Sequence, residues 1–445
     1  MEQPINPQQF IQPEQPPKSK KIIWISLVSA IALIGVIIVG LYLWQTRLAK
    51  QNLQKTSERV LYKNGNDLIL YSPTTKEKSV ILSSADLLDF DLSRDRNFIV
   101  YSLKETVFEG NSDIYLNNLV SGQTTRLTEE NNIASFNAKI FPDNGKVAYV
   151  RRIYNPATKK LSDGEIWLIN ADGNIESSKK LFGSNSESFI KASDLDKVLD
   201  DNGKWTGEYL CISKEEIESV KIGIENISYD GNVMSYWQKQ WAPECSGLWK
   251  MPRFSKIDST DFLTEKFKQQ NTFNKVFNWE PSQIFWFTDG SFAVGQGAPT
   301  PIAGESIYYF DKDQNKKWEI FDSFKQDARK YDTQVFINDI IKKDSAHFII
   351  VYNAYKRMED TKYFVEELNL GDKIDLANLN SKKYFAIEKL GDNNDQIAGI
   401  KILNDNNMVY VKQLGKNNYG LYLYNFSNGK EEEIIKSNSF IDFSF

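Results

Sequence analysis

Histidine and cysteine are the scarcest reactive residues in this chain of 445, with one of the former (His347) and two of the latter (Cys211 and Cys245). Too few soft ligands remain for a zinc site and none for an iron–sulfur cluster, so no metal and no cofactor is expected. One histidine could serve at most one catalytic triad, and no G-x-S-x-G elbow, P-loop or G-x-G-x-x-G turn is present. His347 itself lies in DSAHFIIVY, an apolar run that predicts a strand and a core position for the ring. Long runs of Lys or Arg are also missing. With a formal net charge of -5, nucleic acid is excluded as an expected partner.

Long hydrophobic runs are absent with one exception. Residues 1–21 begin with a Pro/Gln-rich tail (QPINPQQFIQPEQPP) that cannot bury enough apolar surface to fold, so it is expected to be disordered. Ile22 to Trp44 then runs without a charge, long enough at 1.5 Å per residue to cross about 30 Å of hydrocarbon. Trp24, Tyr42 and Trp44 lie near its ends, where amphipathic rings prefer to sit. A cleaved signal peptide would have a shorter apolar region and a small-residue site, which WQTRLAKQ does not offer. The expectation is a single-pass cell-membrane anchor at 22–44, with a cytoplasmic N-terminus and a helical stalk over 45–58. The remainder, 59–445, is then extracytoplasmic.

That remainder is repetitive. Ser135 to Val150 (SFNAKIFPDNGKVAYV) joins an alternating segment to an apolar one through Pro142-Asp143-Asn144-Gly145, a hairpin signal. The same element returns at Leu87 to Ser102, Ile224 to Trp237, Ser282 to Gly295, Val335 to Tyr352 and Ala398 to Gln413. A second hairpin type recurs between them, as in DLILYSPTTKEKSVIL, DIYLNNLVSGQTTRLT, EIWLINADGNIESSKKL and GLYLYNFSNGKEEEII. Two hairpins make the four strands of one propeller blade. RVLYKN near the start lacks an inner partner, and SFIDFSF at the end is an inner strand with nothing after it. Joined, they close a ring and remove two sheet edges. The fold class expected is all-β, a seven-bladed β-propeller, with six or eight blades as alternatives, closed by its N- and C-terminal strands and preceded by one transmembrane helix.

An insertion at about 183–223 interrupts the pattern, and Ser193-x-x-Asp196 and Ser213-x-x-Glu216 in it read as helix starts. Cys211 lies in this insertion and Cys245 in the following blade. Outside the cytoplasm they are candidates for a disulfide worth about 3 kcal/mol; two separate buried thiols are the alternative.

The turn Pro142 to Lys146 followed by VAYV, with the hairpins DIYLNNLVSGQTTRLT and EIWLINADGN, resembles the repeats of TolB-type propellers and of the N-terminal propellers of prolyl-oligopeptidase and dipeptidyl-peptidase relatives. The resemblance is good over Leu87 to Leu181 and fades after Gly295. It implies a propeller fold and departs from both groups in detail. TolB proteins carry an α/β domain ahead of a six-bladed ring, and the peptidases follow their propeller with a hydrolase domain that this sequence does not contain.

Candidate site residues are few. Trp237, Trp241 and Trp249 fall near the loop Gly295 to Glu305 and could stack on a glycan or peptide; the alternative is that indoles of this stretch wedge between blades. Trp241, read as a loop residue, is the expected exposed one. Asp311-x-Asp313-x-Asn315 mimics an EF-hand start, but Lys316 stands where Gly is needed, so a hairpin tip is expected. Asp143, Asp230 and Asp289 read as turn residues. Taken together these point to a non-catalytic, extracytoplasmic binding or scaffolding module for an envelope protein, peptide or glycan. The alternatives are a glycan hydrolase or lyase using channel carboxylates and a gating partner for a separate peptidase.

Overall fold

The computed structural model describes residues 58–105, 110–183, 197–199, 205–209, 222–241, 248–257, 281–297, 305–313, 315–321, 333–356, 359–389 and 396–444. The expected tail, membrane span and stalk up to residue 57 lie outside them, as do Cys211 and Cys245. Among the described residues no helix is long and apolar enough to cross a membrane.

Strands β1 (Val60–Asn64), β2 (Asp67–Tyr71) and β3 (Lys78–Ser83) form a meander completed by the last strand of the chain, β30 (Phe443–Ser444), in the order β3-β2-β1-β30. Next come β4 (Leu87–Leu92), β5 (Phe98–Lys104), β6 (Ser112–Asn118) and β7 (Thr124–Arg126). They are followed by β8 (Ile133–Ile140), β9 (Lys146–Asn155), β11 (Glu165–Asn170) and β12 (Lys179–Gly183), with β10 (Lys160–Leu161) folded back on β9. A single parallel pair, Ser112 with Ala134, links these two meanders. After a two-stranded ribbon of β13 (Lys197–Leu199) and β14 (Trp205–Tyr209), the sheets resume with β15 (Ile222–Ile227), β16 (Val233–Trp241) and β17 (Leu248–Lys256). Three four-stranded meanders complete the chain. They are β18 (Pro281–Trp286), β19 (Phe292–Gly297), β20 (Glu305–Phe310) and β21 (Lys316–Phe321); then β22 (Thr333–Lys342), β23 (His347–Lys356), β24 (Thr361–Asn369) and β25 (Ala386–Glu388). The last is β26 (Ile397–Ile402), β27 (Asn407–Gly415), β28 (Asn418–Asn425) and β29 (Lys430–Ser437).

The second strand of each meander explains the stacking. Residues of β23 alternate between two apolar clusters: Phe348, Ile350 and Tyr352 join the preceding sheet, while Ile349 and Val351 join the following one. In β9 the split is Val147 and Tyr149 against Ala148 and Val150. In β27 it is Met408 and Tyr410 against Val409 and Val411. A strand covered on both faces must be apolar at consecutive positions, which is why KVAYV, FIIVY and MVYV lack alternation. The last cluster carries β27 and β28 onto β1 and β2, through Val60, Tyr62, Ile69 and Tyr71. The sheets therefore stack face to face in chain order and return to the first, the arrangement of a β-propeller.

Closure is made as the sequence predicts. β30 pairs antiparallel with β1, Leu61 opposite Ser444 and Tyr62 opposite Phe443, and the Lys63 amide donates to the Asp442 carbonyl at 3.0 Å. The turn chemistry also holds. Asn144 takes a left-handed φ of 57°, and the Gly145 amide donates to Asp143 Oδ1 at 2.9 Å. Asp311 Oδ1 accepts from the amides of Asp313 and Asn315, and Lys317 bridges to its carboxylate at 3.0 Å, so this loop is a hairpin tip.

The helix starts read at Ser193 and Ser213 lie outside the described residues; within the same insertion residues 197–199 and 205–209 pair as strands. One expectation is corrected. His347 is not a core residue. It opens β23 with a half-exposed side chain, and its Nδ1 lies 2.7 Å from Asp344 in the preceding turn, so burial begins one residue later at Phe348.

Candidate functional site

The first strand of a meander sits at the inner edge of the ring, and on six of these strands the pairing register breaks at an equivalent place. The breaks fall between Leu87 and Asp89, Phe136 and Lys139, Ile224 and Asn226, Pro281 and Gln283, Ile337 and Asp339, and Ile397 and Gly399. A bulge of this kind re-aims side chains and leaves backbone groups outside the ladder. Here side chains at corresponding places on the preceding sheet reach groups within the next break, and in one case the amide at the end of the next first strand. The Asp89 carboxylate accepts from the amides of Asn137 (2.7 Å) and Ala138 (3.4 Å), both within the next bulge, and from Ser102 Oγ at 2.5 Å. Asn137, with a φ of 52°, passes the link on: its Oδ1 accepts from the Ile224 amide at 2.5 Å. Gln283 Nε2 donates to the Ile337 carbonyl at 2.6 Å, and Asp339 Oδ2 accepts from the Ile402 amide at 2.7 Å. Burial pushes the Asp89 and Asp339 carboxyls above the usual carboxylate range, against the hydrogen bonds that favour their charged forms.

A charged cluster lies at the closing seam. Lys139 Nζ is 2.9 Å from Asp91 Oδ1, Ser444 Oγ donates to the same oxygen at 3.0 Å, and Lys63 Nζ donates to the Leu87 carbonyl at 2.7 Å. Burial pulls the Lys139 ammonium down, but Asp91 beside it, with Asp89 and Asp442 nearby, more than offsets this and holds it raised. Burial likewise raises the Asp442 carboxyl. Among the described residues no group of three or more His, Cys, Asp and Glu is placed to hold a metal ion.

The tryptophan candidates fare differently. Trp237 pairs with Gly223 across β15 and β16 and its half-buried indole covers that glycine: a methyl at Gly223 would lie 2.3 Å from the ring. An aromatic laid over a strand glycine supplies packing the glycine lacks. Trp241 is not a loop residue. β16 runs on beyond Trp237, and Trp241 pairs with Leu248 at its end. Trp249 pairs with Gln240 in the same ladder. Trp286 is half-buried against Phe292, with ring centroids 5.2 Å apart.

Sequence reasoning passed over Asp89, Asp91 and Lys139. The available signal was DFD and NAK inside segments that otherwise read as buried strands, where polar side chains need partners.

No family model matches the chain, and no curated protein matches it by sequence. Among solved structures it is similar to a prolyl endopeptidase, at 12% identity over 88% of this chain and 52% of that one, with a TM-score of 0.45. It is similar to the β-propeller domain of the Trilobed protease from Pyrococcus furiosus, at 10% identity over 83% of this chain and 86% of that one (TM-score 0.44). It is also similar to TolB from Acinetobacter baumannii, at 11% identity over 88% and 67% (TM-score 0.37). The chain thus spans about half the length of the prolyl endopeptidase. These are likenesses of fold, and they fall in the TolB and prolyl-peptidase propellers whose repeats the sequence resembles.

Proposed function

We propose that this chain is a membrane-anchored, non-catalytic binding or scaffolding propeller, of seven blades, displayed outside the cytoplasm for an envelope protein, peptide or glycan. The observation that carries it is the engagement of the inner-edge carboxylates. Asp89 and Asp339 are bonded to backbone amides of the next sheet and Asp91 is held by Lys139 and Ser444, so these groups join sheets where a glycosidase would need one to protonate a leaving group. The blade number is supported by the apolar clusters, each of which straddles a boundary between consecutive sheets, the last joining β27 to β1. The anchor is supported by the uncharged run from Ile22 to Trp44.

Crosslinking of the full chain in its native membrane, read by mass spectrometry, is expected to recover partner segments joined to the ring. A glycan-turnover screen run alongside is expected to be silent. Turnover abolished by Asp91→Asn or Asp339→Asn would replace this reading with the hydrolase. Protease treatment of intact cells is expected to degrade 59–445, and full resistance would reverse the orientation.

A further inference from the structure

The outermost strand of a sheet has one edge without a neighbour, and its amides and carbonyls are a template for another chain unless charge, proline or shortness blunts them. Most outer strands here are blunted. β7 and β25 have 3 residues each, and β12, β21 and β29 open with Lys179-Lys180, Lys316-Lys317 and Lys430-Glu431. β17, the outermost described strand of its sheet, contains Pro252. β3 differs from all of these. Beyond Lys78 it runs through residues 79–83 (SVILS) with neither a charge nor a proline.

The difference is sharpest at one position. Each of the longer outer strands β3, β12, β21 and β29 bulges against its one neighbour, which sets Ile81, Leu181, Ile320 and Ile434 outside the regular register. The residue just before that bulge is Lys180 in β12, Glu319 in β21 and Glu433 in β29, and each is ion-paired, to Glu165 at 2.5 Å, Lys316 at 3.2 Å and Lys436 at 2.9 Å. In β3 it is Val80, 58% exposed. The bulged residue follows the same division: Leu181, Ile320 and Ile434 are buried, whereas Ile81 is only half-buried. A charge beside the bulge guards an edge against strand addition, and β3 carries in its place a β-branched residue that strand pairing favours. The strand is also held in place. Lys78 Nζ donates to the Ile434 carbonyl at 2.7 Å and Lys76 pairs with Glu432 at 2.7 Å, so β3 is tied to the sheet of β26–β29 and needs little further ordering to receive a partner.

We propose that the outer edge of β3 is a strand-addition site, taking an extended, uncharged, β-branched segment of a partner polypeptide as a fifth strand of the sheet β3-β2-β1-β30. Main-chain hydrogen bonds to residues 79–83 supply the pairing, and Val80 packs against a side chain of the incoming strand. The edge offers no charge for an acidic or basic segment to answer, since the Lys78 ammonium is turned to the Ile434 carbonyl. A second copy of the chain is the less apt occupant. Antiparallel pairing of two β3 strands turns one ring over, so the two chains enter their rings at Val60 from opposite ends, which anchoring in the same membrane opposes. The site rests on the reading of the chain as a binding module and names the conformation and chemistry of what that module binds.

The test is fluorescence anisotropy of the full chain in detergent with a labelled Thr-Val-Thr-Val-Thr-Val peptide and with the same peptide N-methylated at every residue, which keeps the side chains and removes the backbone donors. The unmodified peptide is expected to bind at least about tenfold tighter, and to slow hydrogen exchange at amides within residues 79–83. Val80→Lys, which restores the guard of the other outer strands, is expected to weaken binding at least about tenfold, and Val80→Thr to leave it within about twofold. Unfolding midpoints are measured on both variants. Should Val80→Lys not fold, the ratio between the two peptides and the exchange pattern on the unaltered chain still decide. Equal binding of the two peptides, binding of neither, protection confined to other strands, or binding that survives in a folded Val80→Lys chain overturns the site. A dimer in analytical ultracentrifugation that Val80→Lys abolishes overturns the partner segment as occupant and gives the edge to a second copy. If the site fails while crosslinks to the ring persist, the binding module stands without it; absence of crosslinks removes the module itself.

Discussion

Ile441→Ala tests whether the ring is closed in solution. Ile441 is 0% exposed and packs with Val60, Tyr62, Leu403, Val409 and Ile434, between the last meander and β1. The substitution removes three carbons, about 2.4 kcal/mol of transfer free energy at ~0.8 per methylene. The hole is walled on two sides by β1 and β27, each paired on both edges, and cannot collapse fully, so a cavity contribution brings the loss to about 3 to 4 kcal/mol. Phe440 provides the control. It is 52% exposed and touches Tyr419 edge-on with centroids 5.6 Å apart, so Phe440→Ala should lose under about 1 kcal/mol. The assay is urea unfolding of the full chain, followed by tryptophan fluorescence. A terminal segment that frays from the sheet would make both substitutions cheap, because residues without fixed contacts contribute little to the global transition. A loss below about 1 kcal/mol for Ile441→Ala, or no coupling to Val60→Ala in a double-mutant cycle, would refute the closure argument.

Three further outcomes follow from particular contacts. Asp89→Ala leaves the Asn137 amide without its acceptor and should lose about 2 to 3 kcal/mol in the same unfolding assay, with faster hydrogen exchange at Asn137; a loss under about 0.5 would show that the inter-sheet latch contributes nothing. Gly223→Ala forces the indole of Trp237 off its seat and should lose about 1 to 3 kcal/mol with a shift in tryptophan emission, an unchanged spectrum arguing that Trp237 does not cover the glycine. Burial, with Glu105 adding to it and Arg126 opposing, pushes the Asp113 carboxyl up to about 6, against 3.8 for the unperturbed group. The folded state therefore holds this proton where the unfolded chain has released it, and the stability the group contributes is present below about pH 4 and lost as the pH rises through 6, about 2 to 3 kcal/mol in all. Asp113→Asn should lose that slope, so that the difference between the two proteins' stability–pH curves carries it, and a variant with an unchanged slope would assign it to other carboxyls.

Much of this architecture is written in local sequence. The two-sided strands announce themselves as runs such as KVAYV, because period-2 alternation disappears when both faces are covered. The turns announce themselves through Asp-Asn-Gly and Asp-Gly pairs, whose side chains satisfy the turn amides in the way Asp143 does for Gly145. The closure was legible for a topological reason: a strand without a partner at each end of a repeat array has one economical solution. What local pattern could not carry was the end of an element set by its tertiary partner. Trp241 looked like loop because polar residues precede it in WQKQW, yet the ladder to β17 holds it in strand. His347 looked like core because FIIVY follows it, yet Asp344 draws its ring into the turn.

The inner-edge latches lie beyond sequence for a deeper reason. Asp89 in LLDFDL reads as an outward polar residue on an alternating strand, and in a flat sheet it would be one. The bulge at Leu88 changes the phase, so Asp89 faces the next sheet at the height of the bulge around Asn137, and the amides released there are the ones its carboxylate accepts from. Each half of the contact is unfavourable alone, a buried carboxylate on one side and unladdered amides on the other. They become favourable together only when two sheets of the right twist meet, which couples every bulge to the geometry of the whole ring. The links from Asn137 to Ile224, from Gln283 to Ile337 and from Asp339 to Ile402 use different side chains at corresponding places, so side-chain identity is free to vary while the bulge is kept. Seen this way the polar inner edge is a consequence of ring closure.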